Sequence, residues 1–243
     1  MSAPRTLAVD IGGSGIKVLI FNSHGQAIGQ RLRVATPRPA TPKAVLAALK
    51  GLVGAAGDFE RVSVGFPGVV RNGVVYTAVN LHPAWVGFDM AKAAQKLTGK
   101  PARVGNDADV QGLGACKGKG VELTVTLGTG FGSGLCVDGT LVPNLELGHA
   151  PFRKGQTYEE QLGAAALKKI GRKRWNRRVK KAIKTLSTAF NYDVLYVGGG
   201  NAKKLKLKLP PNVRIVPNSD GLTGGLRLWE TPSAPRLPSP AKR

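Results

Sequence analysis

Two glycine-rich turns, Asp10-Ile11-Gly12-Gly13-Ser14-Gly15-Ile16-Lys17 and Thr126-Leu127-Gly128-Thr129-Gly130-Phe131-Gly132, lie more than a hundred residues apart. Each is entered from an apolar run and left by another, a pattern of strand, turn and strand written twice. Without a Cβ the backbone reaches φ > 0 and can bring N–H groups against a phosphate; the alternative is an ordinary tight turn. Neither turn is a Walker A loop, because no Gly-Lys-Ser/Thr follows at the required spacing. Neither is a dinucleotide fingerprint, since the glycines lead into an extended run and not a helix. Asp10 stands at the mouth of the first turn, where a carboxylate can hold hydrated Mg2+ against phosphate oxygens. Asn106-Asp107 follows a short strand and precedes a helix. Asp107 there can take the proton of a hydroxyl during phosphoryl transfer, or it can simply cap the helix, as can Asp109. Glu146 and His149, three residues apart, offer an acceptor and a switchable donor that suit the hydroxyls of a polyol.

The elements that must position these residues alternate between strand and helix. Strands are expected at about 6–10, 16–21 and 27–34, then a Pro-rich connection, Thr36 to Pro42, with Thr41 as N-cap and Pro42 at the first helical position. That helix runs to about Ala56. A strand at 61–65 breaks at Phe66-Pro67-Gly68, a helix at 89–98 starts near Asp89, and a short strand covers 102–105. A helix at 108–116 precedes the second strand–turn–strand unit. Residues 157–170 and 174–190 read as two helices, the second with Trp175, Val179, Ile183, Leu186 and Phe190 as one apolar stripe. The strand 194–197 runs into Gly198-Gly199-Gly200 and then another helix start. The expected fold is α/β with two related lobes: an N-terminal lobe at 1–107, a C-terminal lobe at 108–230 with a basic helical segment at 157–190, and a disordered Pro-rich tail at 231–243. The cleft between lobes is the default site.

The charge is unusual: 36 Lys and Arg against 14 Asp and Glu give a net +22. Between Lys168 and Lys184, ten of seventeen residues are basic and none is acidic: Lys168, Lys169, Arg172, Lys173, Arg174, Arg177, Arg178, Lys180, Lys181 and Lys184. A second run holds Lys203, Lys204, Lys206 and Lys208. Such density points to a polyanion, whether nucleic acid, polyphosphate or an anionic surface, or else to a merely solvated face. The two cysteines, Cys116 and Cys136, form no CxxC metal site and read as free thiols of a reducing cytoplasm. No secretory leader and no membrane span is expected. The three histidines pair with no cysteine in a zinc pattern, and no G-x-S-x-G hydrolase elbow occurs.

In order along the chain stand DIGGSGIK (10–17), GFPGVV (65–70), NLHPAWVG (80–87), NDAD (106–109), LGTGFGSG (127–134), PNLELGH (143–149) and VGGGNAKKL (197–205). This set resembles the ROK family of sugar kinases, and most closely its polyphosphate glucokinase group, which TPRPATP at 36–42 also resembles. The resemblance covers about residues 6–229. It implies a two-lobed, actin-like ATPase (ribonuclease H-like) fold and transfer of a terminal phosphoryl group from polyphosphate, ATP or both to the 6-hydroxyl of glucose, with Mg2+. By the same resemblance Asp107 is the general base. Asn106, Glu146, His149, the backbone near Gly68, and Asn80 within NLHPAWVG contact the sugar. The turn with Asp10, Gly12, Gly13, Ser14, Gly15 and Lys17, and that with Gly128, Thr129 and Gly130, face phosphates and the metal. Gly198, Gly199 and Gly200 lie where adenosine would sit.

Two departures bear on the site. Many relatives carry a Cys-rich zinc loop after the histidine of ELGH, whereas Pro151 to Thr157 contains no cysteine, so no zinc is expected. Glu159 aligns across that gap with a sugar-binding glutamate. Asn201 replaces the usual Ile or Ser after the triple glycine. No helix-turn-helix like that of repressors in the family is expected ahead of the first strand. Polyphosphate is the favoured donor, lying along the basic face of 168–184, and glucose or a similar hexose the acceptor. An ATP-only hexose kinase is one alternative. Another is a non-catalytic sugar sensor that holds nucleic acid through the basic helix; against it, only Trp175 among the cluster could stack on a base. Nucleic acid is expected only as a non-specific competitor, and a homodimer is possible by analogy.

Overall fold

The computed structural model describes residues 4–79, 81–216 and 220–230. The expected tail at 231–243 and Asn80 lie outside the described residues. The elements in chain order are β1 (Thr6–Ile11), β2 (Ile16–Phe21), β3 (Ala27–Val34), α1 (Pro42–Ala56), β4 (Arg61–Phe66), β5 (Val70–Arg71), β6 (Val74–Val75), α2 (Met90–Thr98), β7 (Ala102–Asn106) and α3 (Asp107–Ala115). After them come β8 (Val121–Leu127), β9 (Phe131–Val137), β10 (Thr140–Val142), β11 (Pro151–Arg153), β12 (Gln156–Thr157), α4 (Tyr158–Leu162), α5 (Ala164–Phe190), β13 (Val194–Gly198), β14 (Val213–Ile215) and α6 (Asp220–Arg227). Two compact units result: Met1–Val110 with Gly221–Arg243, and Gln111–Asp220.

Each unit is built on a five-stranded sheet of the same design. The first runs β3-β2-β1-β4-β7 and the second β10-β9-β8-β13-β14. In both, a meander of three antiparallel strands is extended by two parallel ones. Parallel neighbours need a crossover, and α1, α2 and the α4–α5 pair lie in the connections into β4, β7 and β13. The first core gathers Leu7, Val9, Ile16, Val18, Val45, Leu49, Val64, Phe66 and Trp85; the second gathers Leu123, Val125, Leu127, Trp175, Val179, Leu186 and Val197.

Local chemistry sets the helix starts. Thr41 Oγ1 accepts from the Ala44 N–H at 3.3 Å with Pro42 opening α1, and Asp89 Oδ1 accepts from the Lys92 N–H at 2.8 Å at the start of α2. The break expected between the helices at 157–170 and 174–190 falls at Gly171, whose φ 74° and ψ 159° are not helical, and a second break divides the first of them. That second break is at Gly163, between α4 and α5, where the Ala164 N–H donates to the Gly128 and Thr129 carbonyls at 3.1 Å; a Cβ on Gly163 would stand 2.8 Å from the Thr129 carbonyl and 2.9 Å from that of Glu159. The stripe Trp175, Val179, Ile183 and Leu186 is buried, as its period requires.

The chain after 220 belongs with the first unit and not with the segment that precedes it. Leu222 packs with Ala8 and Phe21, and Ser63 Oγ donates to the Gly225 carbonyl at 2.6 Å. Trp229 Nε1 donates to Ser63 Oγ at 2.9 Å, while the Arg61 and Arg103 guanidiniums stand over its ring at 5.0 and 4.9 Å. No helix among the described residues is long and apolar enough to cross a membrane.

Candidate functional site

The first glycine turn joins β1 to β2, with the Gly12 N–H donating to the Gly15 carbonyl at 3.0 Å. Gly13 and Ser14 form its tip. Asp10 and Lys17 face each other across the strands, Nζ to Oδ2 2.6 Å. Two residues outside the motif complete this turn. Thr36 Oγ1 donates to the Gly12 carbonyl at 2.5 Å, and Arg38 Nη2 to that of Gly13 at 3.1 Å. The Pro-rich segment that carries them is held in place by Trp85, whose indole N–H donates to the Ala40 carbonyl at 2.8 Å.

At the carboxyl end of β7, Asn106 does two things. Its Oδ1 accepts the N–H groups of Ala108 and Asp109 at 2.8 and 3.1 Å, and its Nδ2 donates to the Gly68 carbonyl at 3.1 Å. Asn106 is therefore the N-cap of α3 and ties the Gly68 turn to it. Asp107 occupies the first helical position, half-buried, with Oδ1 also accepting from the Ala108 N–H at 2.8 Å. Helix capping thus falls chiefly to its neighbour. Trp85 meets Phe88 edge to face and packs tilted against Phe66.

In the second unit, β8 and β9 enclose Gly128, Thr129 and Gly130. Glu159, at the start of α4, reaches this turn: its Oε2 accepts from the Phe131 N–H at 3.2 Å. A Cβ on Gly130 would lie 2.0 Å from the same oxygen, so only glycine leaves that carboxylate room. Glu146 and His149 flank a single 3-10 turn with Nε2 to Oε2 3.4 Å. Burial pushes the Glu146 carboxyl above the usual carboxylate range; His149 draws it back and the Glu159 charge adds to the rise. Glu146, His149 and Glu159 thus form one group, although the first two are separated from the third by the β11–β12 hairpin.

The triple glycine follows β13 and packs on the second turn. A Cβ on Gly199 would meet the Leu127 backbone at 2.5 Å, and Gly199 has φ 88°. Asn201 donates its backbone N–H to the Leu127 carbonyl at 2.8 Å and its side-chain amide to that of Gly128 at 3.0 Å. The departure at Asn201 therefore braces the glycine turn. Beyond it stands a single 3-10 turn, Ala202–Lys204, where a helix start was expected.

On α5, Lys168, Lys169, Arg172, Lys173, Arg174, Arg177, Lys180, Lys181 and Lys184 are exposed, and Arg178 is half-buried. None is in an ion pair among the described residues. Arg178 donates to the Gln161 carbonyl at 3.4 Å, and burial together with Arg153 and Arg174 draws its pKa down. The buried Asn176 links the two basic runs. Its amide donates to the Arg172 carbonyl at 2.9 Å and to that of Lys204 at 3.3 Å, while its oxygen accepts the Lys206 N–H at 2.7 Å. The Leu-Lys alternation at 205–209 turns its leucines to the core and leaves its lysines in solvent. Trp175 is fully buried, with its indole N–H on the Leu162 carbonyl at 2.8 Å, so it offers no stacking platform.

A profile of the ROK family matches residues 6–163. The chain is 34% identical over 234 residues to a polyphosphate glucokinase of Mycobacterium tuberculosis (strain ATCC 25618 / H37Rv), covering 89% of this chain and 88% of that protein. Over 241 residues it is 34% identical to the polyphosphate glucokinase of Mycobacterium leprae (strain TN), covering 92% and 74%. The inorganic polyphosphate/ATP-glucomannokinase of Arthrobacter sp. strain KM superposes with a TM-score of 0.84 at 33% identity, over 93% of this chain and 97% of that one. A ROK family glucokinase from Streptomyces griseus, solved with glucose and AMPPNP, shares the fold at a TM-score of 0.75 and 21% identity, over 92% and 98%. The paired five-stranded sheets are thus those of the actin-like ATPase fold, and the chain belongs to the ROK family.

Proposed function

We infer that this chain is a sugar kinase that transfers a terminal phosphoryl group from inorganic polyphosphate or ATP to the 6-hydroxyl of glucose. The observation that carries this is the likeness, over nine-tenths of the chain, to polyphosphate glucokinases and to a polyphosphate/ATP-glucomannokinase. In the proposed reaction Asp107 takes the proton of the sugar hydroxyl as its oxygen attacks the terminal phosphorus, and the bond to the bridging oxygen of the donor breaks. Asn106 holds Asp107 at the head of α3 and the Gly68 carbonyl beside it. Glu146, His149 and Glu159 supply the acceptors and donors that orient sugar hydroxyls. The backbone N–H groups of the two glycine turns that make no bond within the turn donate to phosphate oxygens, and Gly198 to Gly200 border the adenosine of a nucleotide donor.

Mg2+ fits the first turn as a phosphate-bound ion. Among the described residues no cluster of three or more His, Cys, Asp or Glu could hold a metal unaided. Asp10 is a single carboxylate beside a glycine turn, and Mg2+ in nucleotide sites takes most of its ligands from water and phosphate. Bound there, it would offset the charge on the donor. Cys116 and Cys136 are both buried, and thiols of this kind fit a reducing, cytoplasmic setting.

A coupled assay for glucose 6-phosphate, with polyphosphate and ATP compared as donors, tests the reading; silence with both would overturn it. For the donor, Lys180→Glu with Lys181→Glu is expected to raise KM for long-chain polyphosphate by about tenfold or more and KM for ATP by less than about twofold, because losing phosphate contacts weakens a long polyanion most. Equal effects on both donors would remove α5 from the polyphosphate path.

A further inference from the structure

Residues paired across adjacent strands project from the same face of a sheet. The register of the first sheet aligns Asp10 with Lys17 and Lys17 with Arg33. One acid and two bases therefore form a row beside the first glycine turn. Lys17 is taken up by Asp10 at 2.6 Å, and that pair is neutral. Arg33 is left uncompensated, with no ion pair or side-chain hydrogen bond among the described residues. Its guanidinium nonetheless lies against the turn: a Cβ on Gly15 would stand 2.8 Å from Nε and 2.9 Å from Nη2. Arg38 adds a second exposed guanidinium through its bond to the Gly13 carbonyl. With Thr36 on Gly12 and Arg38 on Gly13, two carbonyls that would repel an anion are covered by donors. The turn thus presents two positive charges that its own motif does not contain.

Bracing of the turn accounts for Arg38 but not for Arg33. A guanidinium fork matches phosphate oxygens, and an exposed pair of them beside a phosphate-binding turn has a ready ligand. We propose that Arg33 and Arg38 form an anion site on the first glycine turn that takes a phosphate of the donor chain other than the one transferred. This rests on the donor reading above. The ligand class is a linear chain of phosphates, free as inorganic polyphosphate or carried by a nucleotide.

The test uses Arg33→Glu, which removes no hydrogen bond, and Arg33→Glu with Arg38→Ala. Binding of inorganic tripolyphosphate and of ATP is measured by calorimetry across a salt series, beside glucose kinetics and thermal melting. The double variant is expected to bind tripolyphosphate about tenfold or more weaker, with the slope of log K against log salt reduced by about 1.5, roughly 0.7–0.9 for each lost contact. Arg33→Glu alone should lose about half of that slope, with KM for glucose and the melting temperature unchanged. Tripolyphosphate affinity and slope in Arg33→Glu equal to those of the unaltered protein would overturn the proposal. A matching loss for ATP places the site on phosphates common to both donors, and a loss confined to tripolyphosphate places it on the inorganic chain. Tripolyphosphate that binds with this arginine dependence but is never turned over would refute the donor reading while leaving the site standing.

Discussion

Asp107→Ala is expected to lower kcat by about three orders of magnitude while leaving glucose affinity within about threefold, in the middle of the range for loss of a positioned general base. The split matters. Asp107 sits at the first position of α3, but Asn106 carries the cap through the N–H groups of Ala108 and Asp109. Truncating Asp107 should therefore leave the helix start in place, with a melting temperature close to that of the unaltered protein. Asp107→Asn, similar in shape and unable to take a proton, should be as slow as the alanine variant. Single-turnover kinetics with glucose binding followed separately would check this. Full turnover in either variant would remove Asp107 from the chemistry, and a fall in kcat matched by a collapse in stability would make its role structural.

Gly68→Ala is expected to damage fold and activity together. A Cβ at this position would lie 2.1 Å from the Thr77 carbonyl oxygen and 3.0 Å from its carbon, backbone atoms that cannot swing aside. The turn is pinned on that side by the Val69 N–H on Thr77 Oγ1 at 2.9 Å and the Tyr76 N–H on the Val69 carbonyl at 2.8 Å. Relief must therefore come from moving residues 67–69, which carries the Gly68 carbonyl off Asn106. Overpacking of this kind costs about 3 kcal/mol. A shift of about 1 Å at groups that align reactants can cost about a hundredfold in kcat. Gly51→Ala is the control: it lies within α1 with nothing within 4 Å of its Cβ, and alanine there should gain up to about 1 kcal/mol. Urea unfolding of both variants, read with kcat, decides the matter; a Gly68→Ala protein as stable and active as the parent would sink the argument.

Much of the framework was legible in the chain because its causes are local. Thr41 before Pro42 and Asp89 before Met90 start helices by satisfying N–H groups a few residues away. The stripe from Trp175 to Leu186 follows from helical period alone. The division at Gly163 was not legible, because its cause is the Thr129 carbonyl, brought near by β8 and β9. Assigning 221–230 to the second lobe failed for the same reason. Its neighbours in sequence lie in one unit, but Ser63, Arg61 and Arg103, which hold Gly225, Leu228 and Trp229, lie in the other part of the chain.

The candidate site divides along the same line. The amino-acid sequence by itself determined the two glycine turns, the Asn106-Asp107 pair, the Glu146–His149 spacing and the density of positive charge, since each is a matter of residue type within a few positions. Only the tertiary structure decided which of these meet. It brought Glu159 onto the Gly130 turn and beside Glu146, set Asn201 against Gly128, joined the two basic runs through Asn176, and laid Arg33 and Arg38 on a turn whose motif names neither. Strand register and close packing create such neighbours across tens of residues, and a linear pattern carries no direct record of which carbonyl a distant side chain will reach.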